Sequence, residues 1–230
     1  MNLKKLWRDF IALFYPDLCV GCASALVGDE QFFCSECLPK LPVTSFHRQA
    51  DNLAYERLAG KIPVIRAAAY FHYNKTGLGQ KTVADVKYHG NIALGRWAGN
   101  RLAQEWLSSG FFADIDYLIP VPLHPKKRHQ RGFNQSEVIA QGISTVTQIP
   151  VDTVNLYRSQ ANETQTRKGL YERWKNTQNI FCIRNNTQFV GKHVMLIDDV
   201  LTTGSTLEAC AKALLETPDI RISVLTLAVT

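Results

Sequence analysis

Val194-Met195-Leu196-Ile197-Asp198-Asp199-Val200-Leu201-Thr202-Thr203-Gly204-Ser205-Thr206-Leu207-Glu208 is the stretch that decides the fold. Four apolar residues read as a strand buried on both faces, two carboxylates follow, and a loop of hydroxyls and glycine opens into a helix pattern. Ser205 with Glu208 three residues on has the spacing of a capping box. In open α/β sheets ligands bind beyond the carboxyl ends of the strands, so Asp198 and Asp199 are placed to accept hydrogen bonds from the vicinal hydroxyls of a ribose. The N–H groups and hydroxyls of Thr202, Thr203, Gly204, Ser205 and Thr206 at a helix N-terminus suit a phosphate dianion, and Gly204 lets the backbone come close. Two carboxylates would repel that phosphate unless sugar hydroxyls or Mg²⁺ stand between them. The plainer reading is a capped helix after a solvated Asp pair; it leaves the order of strand, acids and phosphate loop unexplained.

Outward from this stretch, strand and helix patterns alternate. Val64 to Tyr73, Tyr117 to Val121, Val151 to Tyr157, His193 to Ile197 and Arg221 to Val229 read as strands. Ile92 to Ser109, Asn134 to Ile149 and Ser205 to Glu216 read as helices, the second opened by Asn134 with Glu137 as a capping box. Such alternation predicts an α/β fold, a mostly parallel sheet with helices on both faces. Ala50 to Lys61 reads as a linking segment, and no internal repeat is present.

Ahead of that sheet, Cys19-Val-Gly-Cys22 and Cys34-Ser-Glu-Cys37 stand eleven residues apart. Each pair puts two sulfurs on one side of a tight turn, and two such knuckles complete the tetrahedral thiolate shell that Zn²⁺ prefers. A site closed by four sulfurs staples a small segment and has no open position for catalysis. Gly21 in the first knuckle is expected to take a positive φ. The alternatives are two disulfides or redox-active dithiols, against which the lack of an export signal counts. His47 is a substitute ligand or an unrelated surface histidine; Cys182 and Cys210 read as small buried hydrophobes. The expected organisation is residues 1–48 as an amphipathic helix and zinc ribbon, then residues 49–230 as the α/β domain.

With 230 residues, 46% hydrophobic and 20% charged, the composition is that of an ordinary globular protein. The net charge of +6 favours a polyanionic partner without naming it. Met1 to Tyr15 interleaves Lys4, Lys5 and Arg8 with Leu3, Leu6, Trp7, Phe10, Ile11 and Phe14. Its apolar face either packs on the protein or touches a membrane surface. Its apolar run is too short for a secretory signal, and no stretch reaches the roughly 18 apolar residues of a membrane span. The expectation is a cytoplasmic protein, with the inner face of the membrane as a further location, and not a transmembrane one.

The run Val194 to Thr206 resembles the phosphoribosyl-pyrophosphate (PRPP) motif of type I phosphoribosyltransferases. The resemblance implies that the paired acids hold the ribose, that the loop holds the 5′-phosphate, and that a second loop after the first core strand grips the pyrophosphate. Tyr117 to Arg128 stands at that place, and its Lys126, Lys127 and Arg128 suit a pyrophosphate with Mg²⁺; a solvated basic turn is the alternative. The two cysteine knuckles, Lys87-Tyr88-His89-Gly90, Ile119-Pro-Val-Pro-Leu-His-Pro125, Arg131-Gly-Phe-Asn-Gln-Ser136, and Arg158 with Gln165, Gly169, Arg173 and Asn176 narrow the resemblance. Together with the PRPP motif they are similar to the ComF family of competence-associated proteins, over nearly the whole chain from Cys19.

That resemblance implies a role in natural transformation, on or near single-stranded DNA entering the cytoplasm, with helicase and uptake components as partners. It makes Lys87, Arg131, Phe133, Asn134, Gln135, Arg158, Gln165 and Arg173 candidate contacts for ligand or nucleic acid, although Asn134 also serves as a helix cap. The basic stretch with Arg167, Lys168 and Lys175 falls where phosphoribosyltransferases carry a hood over the substrate. Tyr157, Tyr171 and Trp174 there either stack bases or pack the hood onto the domain. Two functions remain open: a protein that binds PRPP or a nucleotide while holding single strands, and a PRPP-dependent transferase acting on a small base or amine unrelated to DNA uptake. A transferase needs an acceptor pocket, which the sequence does not display; a strand-binding protein needs steeply salt-dependent affinity.

Overall fold

The computed structural model describes residues 15–159 and 180–230. The amphipathic pattern before Tyr15 and the candidates Gln165, Arg167, Lys168, Gly169, Tyr171, Arg173, Trp174, Lys175 and Asn176 lie outside the described residues.

Four strands, β1 (Val64–His72), β2 (Tyr117–Pro120), β5 (His193–Leu201) and β6 (Arg221–Val229), form one sheet in the order β1-β6-β5-β2. Every neighbouring pair is parallel. β6 lies in the middle and is buried from Ile222 to Val229, as a strand covered on both faces must be. β3 (Leu156–Arg158) and β4 (Phe181–Ile183) form a separate antiparallel hairpin. The helices are α1 (Leu53–Leu58), α2 (Leu78–Tyr88), α3 (Ile92–Trp106), α4 (Pro125–Arg131), α5 (Gln135–Thr147) and α6 (Ser205–Leu214).

Side chains alternate along β5, so one strand serves two cores. Met195 and Ile197 join Leu94, Ala98 and Leu102 of α3 and Ile139 and Ile143 of α5 on one face. Val194 and Leu196 join Leu58 of α1 and Leu207, Cys210 and Leu214 of α6 on the other. The expected layers of helix, sheet and helix are therefore present. On the first face α3 and α5 meet backbone to backbone. A methyl group on Gly142 would overlap the Arg96 carbonyl oxygen and lie 2.9 Å from the Asn100 nitrogen, and one on Gly99 would overlap the Ile139 carbonyl.

Several local expectations differ. The run from Val151 to Tyr157 does not form one strand: Val151 makes a single parallel bridge to Leu118, and regular pairing begins only at Leu156. The cause is Asp152, whose carboxylate accepts from the N–H groups of Val154 and Asn155 at 3.1 and 2.8 Å and folds the chain into a turn. The segment from Ala50 to Lys61 contains helix α1, capped by the buried Asn52, whose Oδ1 accepts from Ala54 and Tyr55. The second Asn52 group ties this cap to the sheet, Nδ2 donating to the Ala67 carbonyl at 2.9 Å. Lys126, Lys127 and Arg128 belong to α4, with Pro125 in its first turn and the His124 ring accepting from the Lys126 N–H.

Before β1 the chain carries the four-cysteine unit, held by bridges at Leu18–Ala25 and Gln31–Phe33. Phe33 is buried there, and its ring meets Trp97 of α3 at 5.5 Å between centroids. The exit from this unit runs along the outer edge of β1: the Thr44 N–H donates to the Tyr70 carbonyl and the His72 N–H to the Pro42 carbonyl.

Since neither helix of the α3/α5 pair can retreat without moving backbone, Gly142→Ala is expected to cost about 2–4 kcal/mol. Urea unfolding of the variant measures this; a loss under about 0.5 kcal/mol would mean that the helices separate freely.

Candidate functional site

The chain leaves β2 toward one face of the sheet and β5 toward the other. After β2 it reaches α5, which packs with Met195 and Ile197; after β5 it reaches α6, which packs with Val194 and Leu196. Between two adjacent parallel strands whose exits diverge, a crevice opens at their carboxyl ends. β2 stops opposite Ile197. Asp198 and Asp199 are the next two residues of β5, so their carboxylates stand where the neighbouring strand has ended.

Both acids have partners. Asp198 Oδ1 accepts from the Ser136 hydroxyl at 3.0 Å and from the Asp199 N–H at 2.9 Å. Ser136 sits in the first turn of α5, which Asn134 caps by accepting from the Ser136 N–H while its Nδ2 donates to the Val121 carbonyl. Asn134 is therefore a structural hinge between the end of β2 and the acid pair. Glu137, expected to complete a capping box, instead faces Arg128 at 3.5 Å. Lys87, at the end of α2, places its ammonium 3.0 Å from Asp199, with both side chains largely shielded. Burial first, then the Asp199 charge, push the Asp198 carboxyl up to about 7, and the bonds from Asp199 N–H and Ser136 only partly offset this.

Downstream, Gly204 adopts φ +82° as the N-cap of α6, and a Cβ there would lie 2.9 Å from Leu58 Cδ2. The expected Ser205–Glu208 capping box does not form, because the cap backbone is left-handed and Glu208 pairs with Lys212 at 2.7 Å. The Thr203 and Ser205 hydroxyls bond each other at 2.9 Å. Helix α1 backs the loop: Arg57 donates to the Thr202 carbonyl at 3.3 Å and Lys61 to the Thr203 carbonyl at 2.6 Å. With those carbonyls turned toward α1, the peptide N–H groups that share their planes point away from α1. The first-turn N–H groups of α6 add donors without intrahelical partners. Such an arrangement of cations behind a loop and N–H groups at a helix start is chemically able to receive an anion.

The remaining candidates are distributed around this edge. Arg131 lies over the exposed ring of Tyr88, 5.6 Å from its centroid, joining α4 to the end of α2. Phe133 packs against the first core, and Gln135 is 1% exposed with no hydrogen-bond partner for its Nε2. Arg158 lies over Phe181, 5.5 Å from the ring centre. Lys126 and Lys127 are exposed on α4. Ser136, Arg57 and Lys61 are contacts that sequence reasoning did not assign; the first was visible only as the end of a motif, and the other two sat in a segment read as a linker.

A line of Asp114, His193 and Ser223 has the spacing of a hydrolytic triad, with bonds of 3.0 and 2.9 Å. His193 and Ser223 are completely buried at the opposite end of the strands, so no substrate reaches the hydroxyl and the line is structural.

The sulfurs of Cys19, Cys22, Cys34 and Cys37 lie within 4.8 Å of one another, with 3.7 Å between Cys22 and Cys34. A tetrahedral shell with metal–sulfur bonds of about 2.3 Å needs sulfurs about 3.8 Å apart, so the donor set fits a metal ion such as Zn²⁺. Burial, then the neighbouring sulfurs, raise Cys37 to about 12, while contacts with the Ser24 hydroxyl and backbone lower Cys22 to about 6. Gly21 is not in the left-handed region. It is required because a Cβ would sit 2.8 Å from Cys37 Sγ and from Leu78 Cδ2, and positive φ falls instead on Ala23 and Phe32. His47 stands apart from the cluster, stacked on Trp106 at 4.4 Å.

Residues 130–228 match the phosphoribosyl transferase domain family. Competence protein ComFC of Bacillus subtilis is 27% identical over 215 residues, covering 91% of this chain and 83% of that protein. The chain is similar to ComF-type competence proteins. DNA utilization protein YhgH of Escherichia coli O157:H7 is 36% identical over 100 residues, 44% of this chain and 43% of that one, so less than half of YhgH is spanned. Among solved structures, the allosteric regulatory enzyme of purine biosynthesis matches 56% of this chain and 25% of its own, at 20% identity and a TM-score of 0.40. Among the described residues, no helix is long and apolar enough to cross a membrane.

Because Asp198 holds its proton more tightly folded than unfolded, stability falls as pH rises from about 4 to about 7, and the full penalty persists above. Asp198→Asn keeps an acceptor for Ser136 and removes the charge. It is expected to match the wild type near pH 4 and exceed it at pH 8 by about 1–3 kcal/mol. Denaturant unfolding across that range checks this, and parallel curves would mean that Asp198 is ionised without penalty.

Proposed function

We propose that this chain binds PRPP or a related phosphoribosyl ligand in the crevice between β2 and β5, and uses that site in handling single-stranded DNA during its uptake. In this reading Asp198 and Asp199 accept the ribose hydroxyls, and the loop from Thr202 to Thr206 receives the 5′-phosphate. Lys126, Lys127 and Arg128 face the pyrophosphate, whose charge Mg²⁺ would reduce when bound. The observation that carries the reading is the pairing of a shielded carboxylate couple with an anion-binding loop on the same strand. Each half alone is common, but together they match a ligand that presents vicinal hydroxyls and a phosphate a few ångströms apart. The names of the similar proteins, competence protein and DNA utilization protein, support the DNA side of the proposal. In it the chain works in the cytoplasm, or at the inner face of the membrane, beside a helicase and other transformation proteins.

The four-cysteine unit within residues 1–48 is proposed to hold one Zn²⁺ through Cys19, Cys22, Cys34 and Cys37, leaving residues 49–230 to carry the ligand site. That ion would supply cross-linking and nothing else, because four sulfurs leave no coordination position for substrate.

Calorimetry with PRPP and Mg²⁺ tests the first part. The wild type is expected to bind, and Asp198→Ala with Asp199→Ala to bind at least about tenfold more weakly, a loss of the order of one or two charge-assisted hydrogen bonds. A wild-type protein that does not bind PRPP would remove the proposal. Pyrophosphate release on the same samples, with and without single-stranded DNA, distinguishes a transferase from a binding protein. For the cysteine unit, purified protein is expected to carry one equivalent of zinc by elemental analysis. Cys34→Ser is expected to lose it together with several degrees of melting temperature; full stability in the presence of a chelator would argue against a metal there.

A further inference from the structure

Beside the crevice lies a second opening that shares Arg128 with the pyrophosphate assignment and is otherwise unused by the ribose and phosphate. A cleft of ≈ 490 Å³ separates the segment that follows β2 from the β3–β4 hairpin. Pro122, Leu123 and Pro125 form an apolar wall on one side, and Tyr157, Arg158 and Arg184 come from the hairpin on the other. Arg128 of α4 stands at the rim. Among the described lining residues Glu137 is the one carboxylate, and it already faces Arg128 at 3.5 Å.

The two hairpin arginines are held by aromatic rings. Arg184 lies 4.9 Å from the centre of Tyr157, and Arg158 lies 5.5 Å from the centre of Phe181. A guanidinium stacked on a ring keeps its edge donors free and fixed in direction, which favours the planar forked contact of Arg with phosphate. Tyr157 is half-buried and lines the cleft, and with Arg184 over one face of its ring only the other face is left for a base. Among the described lining residues Glu137 answers Arg128 alone, so a neutral base or a simple amine would leave Arg158 and Arg184 unmatched, whereas a nucleotide chain supplies both a π-face and successive negative charges. The cations come from separate elements, Arg128 from α4, Arg158 from β3 and Arg184 from the residue after β4.

The cleft also communicates with the acid pair. Asn134 lines it, and two residues on, Ser136 donates to Asp198. The first turn of α5 is thus a shared wall between the two openings.

We infer that this cleft is where a nucleotide strand lies against the protein, with Arg158 and Arg184 on its phosphates and Tyr157 against a base, adjacent to the phosphoribosyl crevice but separate from it. This rests on the proposal that the chain handles DNA. It specifies where and through which side chains.

The test uses a fluorescently labelled oligothymidine strand, titrated by anisotropy at several salt concentrations, with PRPP calorimetry on the same proteins. For Arg158→Gln with Arg184→Gln, strand affinity is expected to fall at least about tenfold, with PRPP binding unchanged. The logarithmic salt slope is expected to shrink by about 0.7 for each phosphate that the variant no longer neutralises. Tyr157→Ala is expected to weaken the strand about tenfold with the salt slope preserved. Tyr157→Phe, which keeps the ring, should restore binding. If the arginine variants lose PRPP and keep the strand, the cleft belongs to the pyrophosphate and the inference is overturned. Equal competition by thymidine monophosphate would mark a mononucleotide pocket and overturn it too. Failure of the wild type to bind any strand would instead remove the DNA side of the proposed function, whatever the variants do.

Discussion

The divergence of the chain after β2 and β5 is the constraint on which the rest depends. Two adjacent parallel strands feed helices on opposite faces, and neither helix can fill the gap at their ends. Because β2 stops one residue before Asp198, the acids project past a strand that no longer covers them. Everything that borders the crevice then serves to keep two carboxylates tolerable there. Ser136 donates to one and Lys87 approaches the other. The raised Asp198 pKa measures how incomplete that compensation is. A ligand that brings hydroxyl donors would supply what the protein leaves short.

The anion side of the crevice depends on a different support. Helix α1 is only six residues long and could not persist alone, but Asn52 caps it and binds the Ala67 carbonyl, fixing it to β1. From that platform Arg57 and Lys61 hold the loop carbonyls. The tight fit of Gly204 against Leu58 shows how close loop and helix are. The loop is thus shaped from behind by α1.

How much of this was legible depended on range. The strand from Val194, the acid pair at its end and the glycine turn into a helix could be read because burial, charge and turn chemistry are all local properties of one continuous run. The alternation of strands and helices gave the parallel sheet with helices on both faces for the same reason. What failed was what depends on partners distant in sequence. Asn52 looks like an ordinary polar residue in a linker until Ala67 is beside it. Glu208 and Glu137 have capping-box spacing, yet Lys212 and Arg128 claim them. Gly21 was read as a conformational glycine, whereas its role is to leave space for Cys37 and Leu78. Asp152 broke an apolar run by a turn that strand periodicity does not register, and the basic residues after β2 coiled into α4 once Pro125 and His124 opened it.

The strip from Pro42 to Thr44 has a consequence beyond holding the cysteine unit in place. It occupies the hydrogen-bonding edge of β1, the outermost strand on that side of the sheet, at Tyr70 and His72. An uncovered edge of this kind is a template for another chain. A fragment trimmed to begin after this strip would lose Phe33 and Leu41 from one core and also present a bare strand to its neighbours, so the residues that lead out of the cysteine unit cover an edge as well as filling a core.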